Sequence, residues 1–235
     1  TRGGGDGADR IEGGGGADTI YGGTGNDTIH GDDATRPESS DETLRWSGQG
    51  ADGTNIIAGF TQDTGDMSVT VDFQNDGGNT GVTLSEGTQY TNGDGTDANS
   101  GVQFTGGAGP NVTTTLVFDA NDGTGLSDEV TDVRFRISDV DTGGWQDIVT
   151  VRAWDTDGNE VAVTLTPAGN DTVSGQTVTS GPGSDSATDA NGSVLVTIDG
   201  PVHSVQVIYS NGGNVGQALW LTDVDFTTVV PPEGD

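Results

Sequence analysis

GGDGADRIE at residues 4–12, GGGGADTIY at 13–21 and GGTGNDTIH at 22–30 follow one another without a break. All three obey the pattern G-G-x-G-x-D-x-U-x, where U is a large apolar residue. The aspartate falls at 9, 18 and 27, and the isoleucine at 11, 20 and 29. A flexible glycine linker would not keep both residue types on a nine-residue period. The segment is therefore a structural repeat.

The residue types of this repeat point to calcium. Glycine pairs allow the backbone to turn tightly, and aspartate supplies the hard carboxylate oxygen that Ca²⁺ prefers. The segment resembles the calcium-binding nonapeptide of the RTX (repeats-in-toxin) family. That resemblance implies a short parallel β-roll with two repeats per coil, in which Asp9 and Asp27 stack on one edge and Asp18 lies on the other. Two carboxylates one strand spacing apart repel by roughly 3 kcal/mol at an effective dielectric of 20, so we expect calcium to be part of the fold.

The repeat pattern ends soon after residue 30. In Gly31-Asp32-Asp33-Ala34 an aspartate stands where the second glycine belongs, and no isoleucine follows in register. We predict a roll over 1–33, a linker over 34–40, a β-sandwich over 41–229 and a linker tail over 230–235. Asp6, Asp32 and Asp33 lie in the glycine-rich turns and are further candidate calcium ligands. Because the chain starts inside the pattern and without Met, we expect earlier repeats upstream.

Composition restricts the partners and the compartment. The chain carries seven basic residues against 37 acidic ones, for a net charge of −30, which disfavours nucleic acid and anionic membrane surfaces. It has no cysteine, so neither a disulfide nor a zinc–thiolate site can form. No apolar run is long enough for membrane insertion. The RTX resemblance implies type I secretion and a location outside, or on the surface of, a Gram-negative bacterium.

From residue 41 onward, short alternating apolar and polar runs separated by turn signals predict β-strands and no helix. One predicted face carries Met67, Val69, Val71 and Phe73, and another carries Val133, Phe135 and Ile137, with Arg134 and Arg136 opposite. Trp154 is predicted to lie opposite Val149, Val151 and Ala153. Trp220 is predicted to share a core face with Val224 and Phe226. About a dozen such strands in this length predict a sandwich, with a jelly roll as the preferred topology. The predicted strands are 43–47, 55–60, 67–73, 81–84, 102–104, 112–119, 130–137, 147–154, 160–166, 172–178, 193–198, 202–209 and 217–229.

The closing segment 219–226 resembles the last strand of lectin-like and carbohydrate-binding jelly rolls. In such modules an aspartate near that strand joins acids of the first strand at a structural calcium. The resemblance thus implies a site formed by Asp41 and Glu42 with Asp223 or Asp225.

Two further groups are candidates on their residue types. Asp139 and Asp141, followed by Asp147, place several oxygens around one loop, which predicts either a calcium site or an Asp-rich turn that caps backbone amides. Trp145 and Trp154 are the candidate sugar-stacking platforms, with burial in the core as the alternative.

The sequence favours a binding or structural role over catalysis. It has no cysteine or lysine, its two histidines lie in unrelated regions, and no nucleophile motif is present. We predict that the chain is not an enzyme. The alternative is a module of a secreted polysaccharide-acting enzyme, which would need only a pair of carboxylates for catalysis. The predicted function is that of a secreted calcium-binding adhesin or matrix protein whose sandwich binds a glycan or another surface ligand. The main alternative is a subunit that self-assembles into a calcium-dependent filament or layer.

Overall fold

The computed structural model describes residues 1–13, 18–31 and 37–232. The chain divides into two compact units, Thr1–Glu38 and Ser39–Asp235. The candidate ligands Asp32 and Asp33, and part of the predicted linker and tail, lie outside the described residues.

The first unit is a short parallel β-roll, as predicted. Its strands are β1 (Arg2–Gly3), β2 (Arg10–Glu12), β3 (Ile20–Tyr21) and β4 (Thr28–His30). Strand β1 runs parallel to β3, and β2 runs parallel to β4. Paired residues are eighteen positions apart, as in Ile11 opposite Ile29, so one coil consumes two nonapeptides. Ile11 is 8% exposed, whereas Ile29 is 48% exposed.

The second unit is almost entirely β. Among the described residues it contains one short 3-10 helix (Trp46–Gln49) and the following strands. They are β5 (Asp41–Leu44), β6 (Phe60–Asp63), β7 (Met67–Asn75), β8 (Asn79–Ser85), β9 (Gly101–Gly106), β10 (Gly109–Ala120), β11 (Val130–Ser138), β12 (Asp147–Trp154), β13 (Glu160–Val161), β14 (Thr164–Pro167), β15 (Thr172–Ser174), β16 (Thr177–Thr179), β17 (Val194–Ile198), β18 (Ser204–Asn211), β19 (Gln217–Thr222) and β20 (Val224–Thr228).

These strands form two antiparallel sheets packed as a jelly-roll sandwich. One sheet has the order β15-β16-β12-β18-β10-β7-β6, with β13 also beside β12. The other has the order β14-β17-β11-β19-β9-β8, with β20 beside β11 and β5 beside β20. Strands β11 and β12 are consecutive in the chain but belong to opposite sheets. The loop between them therefore crosses one end of the sandwich.

Alternation along the strands fixes which side chains enter the core. In β7, Met67, Val69 and Val71 are fully buried, and Phe73 is half-buried against the same core, so the four residues share one face as predicted. In β12, Val149 and Val151 are also fully buried, while Trp154 lies half-buried on the opposite face. Burial of each such aliphatic side chain contributes about 1.5–3 kcal/mol.

The predictions of a strand over 43–47, which contains Trp46, and of a buried Trp220 need correction. Strand β5 ends at Leu44, and Trp46 instead begins the 3-10 helix, fully buried, with its Nε1 donating to the Thr222 carbonyl at 2.7 Å. The predicted strand 217–229 is broken at Asp223 into β19 and β20. The break shifts the alternation by one residue, so the inward positions of β19 are Leu219 and Leu221. Trp220 is therefore only half-buried, and its predicted place in the core was wrong.

Three other predicted strands differ for local reasons. The segment 55–60 becomes strand only at Phe60, because Gly59 adopts the left-handed region with φ of 74°. The segment 160–166 divides between β13 and β14, which belong to different sheets. The segment 172–178 is a β15–β16 hairpin that turns at Gly175, with φ of 59°.

Arg136 lies on the face of β11 opposite Phe135, as predicted, yet it is only 4% exposed. The loop between β8 and β9 covers it with Asp94, whose carboxylate accepts from Arg136 Nε at 2.6 Å and pairs with Arg134 at 3.0 Å. The guanidinium of Arg136 also lies 5.5 Å from the ring centre of Tyr90. The ion pairs of Asp94 with Arg134 and Arg136 therefore join the loop to the sheet, and we call these three residues the ionic clasp.

Candidate functional sites

In the roll, Asp9 and Asp27 occupy equivalent positions on one edge. Each lies directly before a strand of the β2–β4 pair, and the amide of Asp9 donates to Asp27 Oδ1 at 2.9 Å. The amide of Gly5 donates to Asp9 Oδ2 at 2.8 Å. Asp18 lies in the turn between β2 and β3, and so at the opposite edge.

The turn between β1 and β2 stacks on the turn between β3 and β4. Thr24 donates its amide to the Gly5 carbonyl at 2.9 Å and accepts the Gly7 amide at 2.7 Å. The Thr24 hydroxyl also donates to Asp6 Oδ1 at 2.7 Å. The Asp6 carboxylate is thus hydrogen-bonded to Thr24 in the next coil of the roll.

Two glycines make room for the edge carboxylates. A Cβ added to Gly4 would lie 2.7 Å from Asp9 Oδ2, and one added to Gly22 would lie 2.6 Å from Asp27 Oδ2. The same contact thus recurs at a spacing of eighteen residues. The atoms nearby that could bind a metal are carboxylate and backbone carbonyl oxygens, and Ca²⁺ requires oxygen ligands of these kinds. These residues fit a calcium-binding turn.

The sandwich brings a second group of acids together at the end where β11 crosses to β12. Asp139 and Asp141 follow β11, and Asp147 begins β12. Asp171 directly precedes β15, while Asp185 and Asp189 lie in the loop between β16 and β17. We call these six residues the acidic end cluster. The first three were predicted from their spacing, whereas the others come from loops 24 or more residues further along the chain.

Hydrogen bonds tie the carboxylates of this cluster into the ends of the strands. Asp147 accepts from the Tyr209 hydroxyl at 2.8 Å and from the Asp141 amide at 3.2 Å. Asp141 accepts from Gln217 Nε2 at 2.7 Å, from the Asp185 amide at 2.8 Å and from the indole of Trp145. Trp145 is therefore half-buried and engaged with its own loop.

Burial and mutual repulsion raise the pKa values of the cluster. Burial, with the charges of Asp141, Asp185 and Asp189, raises the pKa of Asp139 to about 7. Burial raises the pKa of Asp147 to about 8, against the lowering effect of the Tyr209 hydrogen bond. Burial also raises the pKa of Asp171 to about 6. Burial thus favours the protonated form of these carboxyls, and a bound cation would favour the ionised form instead.

The acids predicted for a site between the first and closing strands have separate partners. Glu42 accepts from the Asp66 amide at 2.6 Å and from the Met67 amide at 3.2 Å. Asp223 accepts from the Trp46 amide at 2.9 Å and from the Ser100 hydroxyl at 2.5 Å.

Asp41 and Asp225 accept from the hydroxyls of Thr227 and Thr43, each at 2.8 Å. Their side chains point outward from β5 and β20, whereas Glu42 is buried. The predicted site is therefore split, because Asp41 and Asp225 lie together on the outer face while the carboxylates of Glu42 and Asp223 are bound by other groups.

Asp41 and Asp225 instead line a groove of about 330 Å³ on the outer face of β5, β20 and β11. Asp132 and Arg134 form the other side. The pairing of β11 with β20 shifts register between Thr131 and Arg134, and Asp132 adopts a left-handed φ of 54°. A β-bulge thus shapes this wall of the groove. The groove is lined by Asp41, Glu42, Thr43, Asp132, Arg134, Asp225, Phe226 and Thr227.

Two features are absent from the described ranges, 1–13, 18–31 and 37–232. No three His, Cys, Asp or Glu side chains there already converge on one metal position. No helix there is long and apolar enough to cross a membrane.

Comparison with known families identifies the N-terminal repeats. Residues 3–34 match the model of the RTX calcium-binding nonapeptide repeat (4 copies). This segment is thus an RTX repeat region, and calcium is its cofactor. No curated protein matches the sequence significantly.

Among solved structures, the mannan-recognising carbohydrate-binding module TmCBM27 is similar at a TM-score of 0.40 and 9% identity, over 81% of this chain and 98% of that one. A family 22 carbohydrate-binding module from Clostridium thermocellum has a TM-score of 0.33 and 11% identity, over 69% of this chain and 88% of that one. The K3 adhesin domain of Lys-gingipain from Porphyromonas gingivalis has a TM-score of 0.34 and 14% identity, over 75% of this chain and 97% of that one. At these TM-scores the likenesses do not bear on the function of this chain.

Proposed function

We propose that this chain belongs to a secreted adhesin or extracellular matrix protein of a Gram-negative bacterium, and that its sandwich binds a glycan or another hydroxyl-rich surface ligand. In this proposal the RTX roll folds around calcium outside the cell. The observation that carries the ligand-binding role is the groove between Asp41, Asp132, Arg134 and Asp225.

The chemistry of the groove suits sugar hydroxyls. Carboxylates accept hydrogen bonds from vicinal hydroxyls, and a guanidinium donates to hydroxyl or ring oxygens. Arg134 keeps 36% of its side chain exposed while it pairs with Asp94, so it is held in place and still reachable. Trp154 lies on the other sheet and supplies no stacking surface here.

We further propose binding without catalysis at this groove. Asp41 and Asp225 each already accept a threonine hydroxyl. Hydrolysis of a bound oligosaccharide by the purified chain would contradict this part of the proposal.

The test is a glycan array probed with the full chain in millimolar calcium, followed by calorimetric titration of the glycans that bind. Asp132→Asn keeps the left-handed backbone accessible and removes one charge of the groove. Asp225→Asn removes another. Each is expected to weaken binding about tenfold, the value of one charge-assisted hydrogen bond. Asp119→Asn, on an exposed acid outside the groove, is the control. Equal affinity in all variants would reject the groove as the binding site.

A second role is favoured by one edge of the sandwich. Strand β15 ends its sheet, all three of its residues are exposed, and Val173 is 38% exposed. Such an edge can pair with a second copy of the chain. Light scattering in calcium and after chelation separates the roles, because chelator-reversible assemblies would indicate a structural subunit and a monomer would leave a receptor module.

A further inference from the structure

The acidic end cluster buries more negative charge than its surroundings neutralise. Its most buried members, Asp139, Asp141, Asp147 and Asp171, are between 0% and 9% exposed. The ion pairs found within the described part of the chain lie elsewhere, at Arg10–Glu12, Arg134 and Arg136 with Asp94, and Arg152–Glu160. Buried carboxylates without a partner are costly, so such groups take up either a proton or a cation.

One oxygen of the cluster lacks a hydrogen-bond donor. Asp171 is 9% exposed, and its Oδ1 accepts from the Gly181 amide at 2.8 Å. Its Oδ2 is buried and has no partner. Gly181, whose amide binds Asp171, directly follows Ser180, whose amide donates to the Asp147 carbonyl at 2.9 Å. The unpartnered oxygen therefore lies at the same strand ends as the other carboxylates of the cluster. A buried acceptor in this state is destabilising, and a cation would satisfy it.

A second carboxylate is nearly as poorly satisfied. Asp139 is 8% exposed, and its Oδ2 accepts from Gln217 Nε2 at 3.5 Å, the outer limit for a hydrogen bond. Asp141 and Asp147, by contrast, already accept from indole, amide and hydroxyl donors. The cluster therefore has an inner pair, Asp141 and Asp147, whose carboxylates are well satisfied, and an outer pair, Asp139 and Asp171, whose carboxylates are only partly satisfied.

We propose that the acidic end cluster is a calcium site of the sandwich, separate from the RTX roll. Asp139 and Asp171 supply carboxylate ligands, and Asp185 joins them from its loop when the ion binds. Asp141 orients this arrangement, because it holds the Asp185 amide at 2.8 Å. Carbonyls and water complete the six to eight oxygen ligands of Ca²⁺. Because the carboxylates repel one another in the absence of an ion, their convergence is expected only upon binding.

Terbium luminescence tests this proposal on the full chain. Tb³⁺ replaces Ca²⁺ at oxygen sites and emits when a nearby tryptophan is excited. The first 38 residues contain no tryptophan, whereas Trp145 contacts Asp141 directly. We expect tryptophan-sensitised emission that Ca²⁺ displaces and that Trp145→Phe reduces several-fold. The double variant Asp9→Asn/Asp27→Asn, which alters the roll, should keep the signal.

The ligand variants decide the outcome. Asp139→Asn and Asp171→Asn should each weaken Tb³⁺ and Ca²⁺ binding at this site at least about tenfold, as loss of a coordinating or supporting group does. Asp185→Asn, at a half-buried loop position, tests the same site with little risk to folding, which near-UV circular dichroism checks. Absent emission would overturn the proposal. So would emission that is unchanged in folded Asp185→Asn, or emission lost in the roll variant instead.

Discussion

Removal of calcium should reverse the usual dependence of stability on pH. Asp147 is fully buried, and burial raises its pKa to about 8 in the folded chain, against about 3.9 in the unfolded chain. Between these values the folded state holds a proton that the unfolded state releases. The stabilisation is therefore complete below the unfolded pKa and is lost as the pH rises through the folded pKa.

The expected magnitude follows from proton linkage. A group that is protonated only in the folded state lowers the free energy of unfolding by about 1.4 kcal/mol for each pH unit of increase. From pH 5.5 to pH 7.5, Asp147 alone should cost about 3 kcal/mol. Asp139, with a folded pKa of about 7, adds a decrease of the same sign.

The assay is urea unfolding followed by tryptophan fluorescence, after calcium has been removed by dialysis against chelator. Measurements at about 0.3 M salt reduce the contribution of surface repulsion. In Asp147→Asn the decrease in the free energy of unfolding should be smaller by about 1.4 kcal/mol for each pH unit, because asparagine does not titrate. Stability that is constant or increases from pH 5.5 to 7.5, or an unchanged slope in Asp147→Asn, would refute the reasoning.

Three further predictions concern the roll and the ionic clasp. Asp9→Asn/Asp27→Asn should lose calcium from one edge of the roll, and equilibrium dialysis that shows unchanged stoichiometry would argue against the pairing. Gly23→Ala should disrupt the roll, because Gly23 has φ of 101° and the added Cβ would lie 2.1 Å from the Gly5 carbonyl oxygen; far-UV circular dichroism of this variant in calcium should show less β signal, and an unchanged spectrum would contradict it. Asp94→Ala should cost about 3–5 kcal/mol in urea unfolding by leaving buried Arg136 unpaired, and a loss below about 1 kcal/mol would show that the clasp is solvated.

Local sequence patterns predicted the parts of this fold that depend on local chemistry. The resemblance of the nonapeptides to RTX repeats implied both the parallel roll and two repeats per coil, and the eighteen-residue register confirms this. Alternation gave the buried faces of β7 and β12. It failed at Asp223, where one residue breaks a strand and reverses which side chains point inward. That reversal moved Trp220 out of the predicted core.

The candidate sites show the same limit. Asp139, Asp141 and Asp147 lie within nine residues, so their spacing alone indicated a common loop. Asp171 reaches them through the pairing of β15 and β16 with β12 in one sheet, and Asp185 through the loop that follows β16, and no local pattern records either approach. The groove beside Asp132 depends on a β-bulge, and the burial of Arg136 depends on a loop 42 positions away. These features require the tertiary structure.

Thermal unfolding of the full chain, in millimolar calcium and after chelation, tests most directly the claim that calcium is part of this fold. Free calcium at a hundred times its dissociation constant adds about 2.7 kcal/mol for each independent site. For a chain of this size, that corresponds to a rise in Tm of about 5–10 °C per site. The account predicts at least this increase, with the roll losing its β signal first after chelation. An identical melting curve in calcium and in chelator would contradict it.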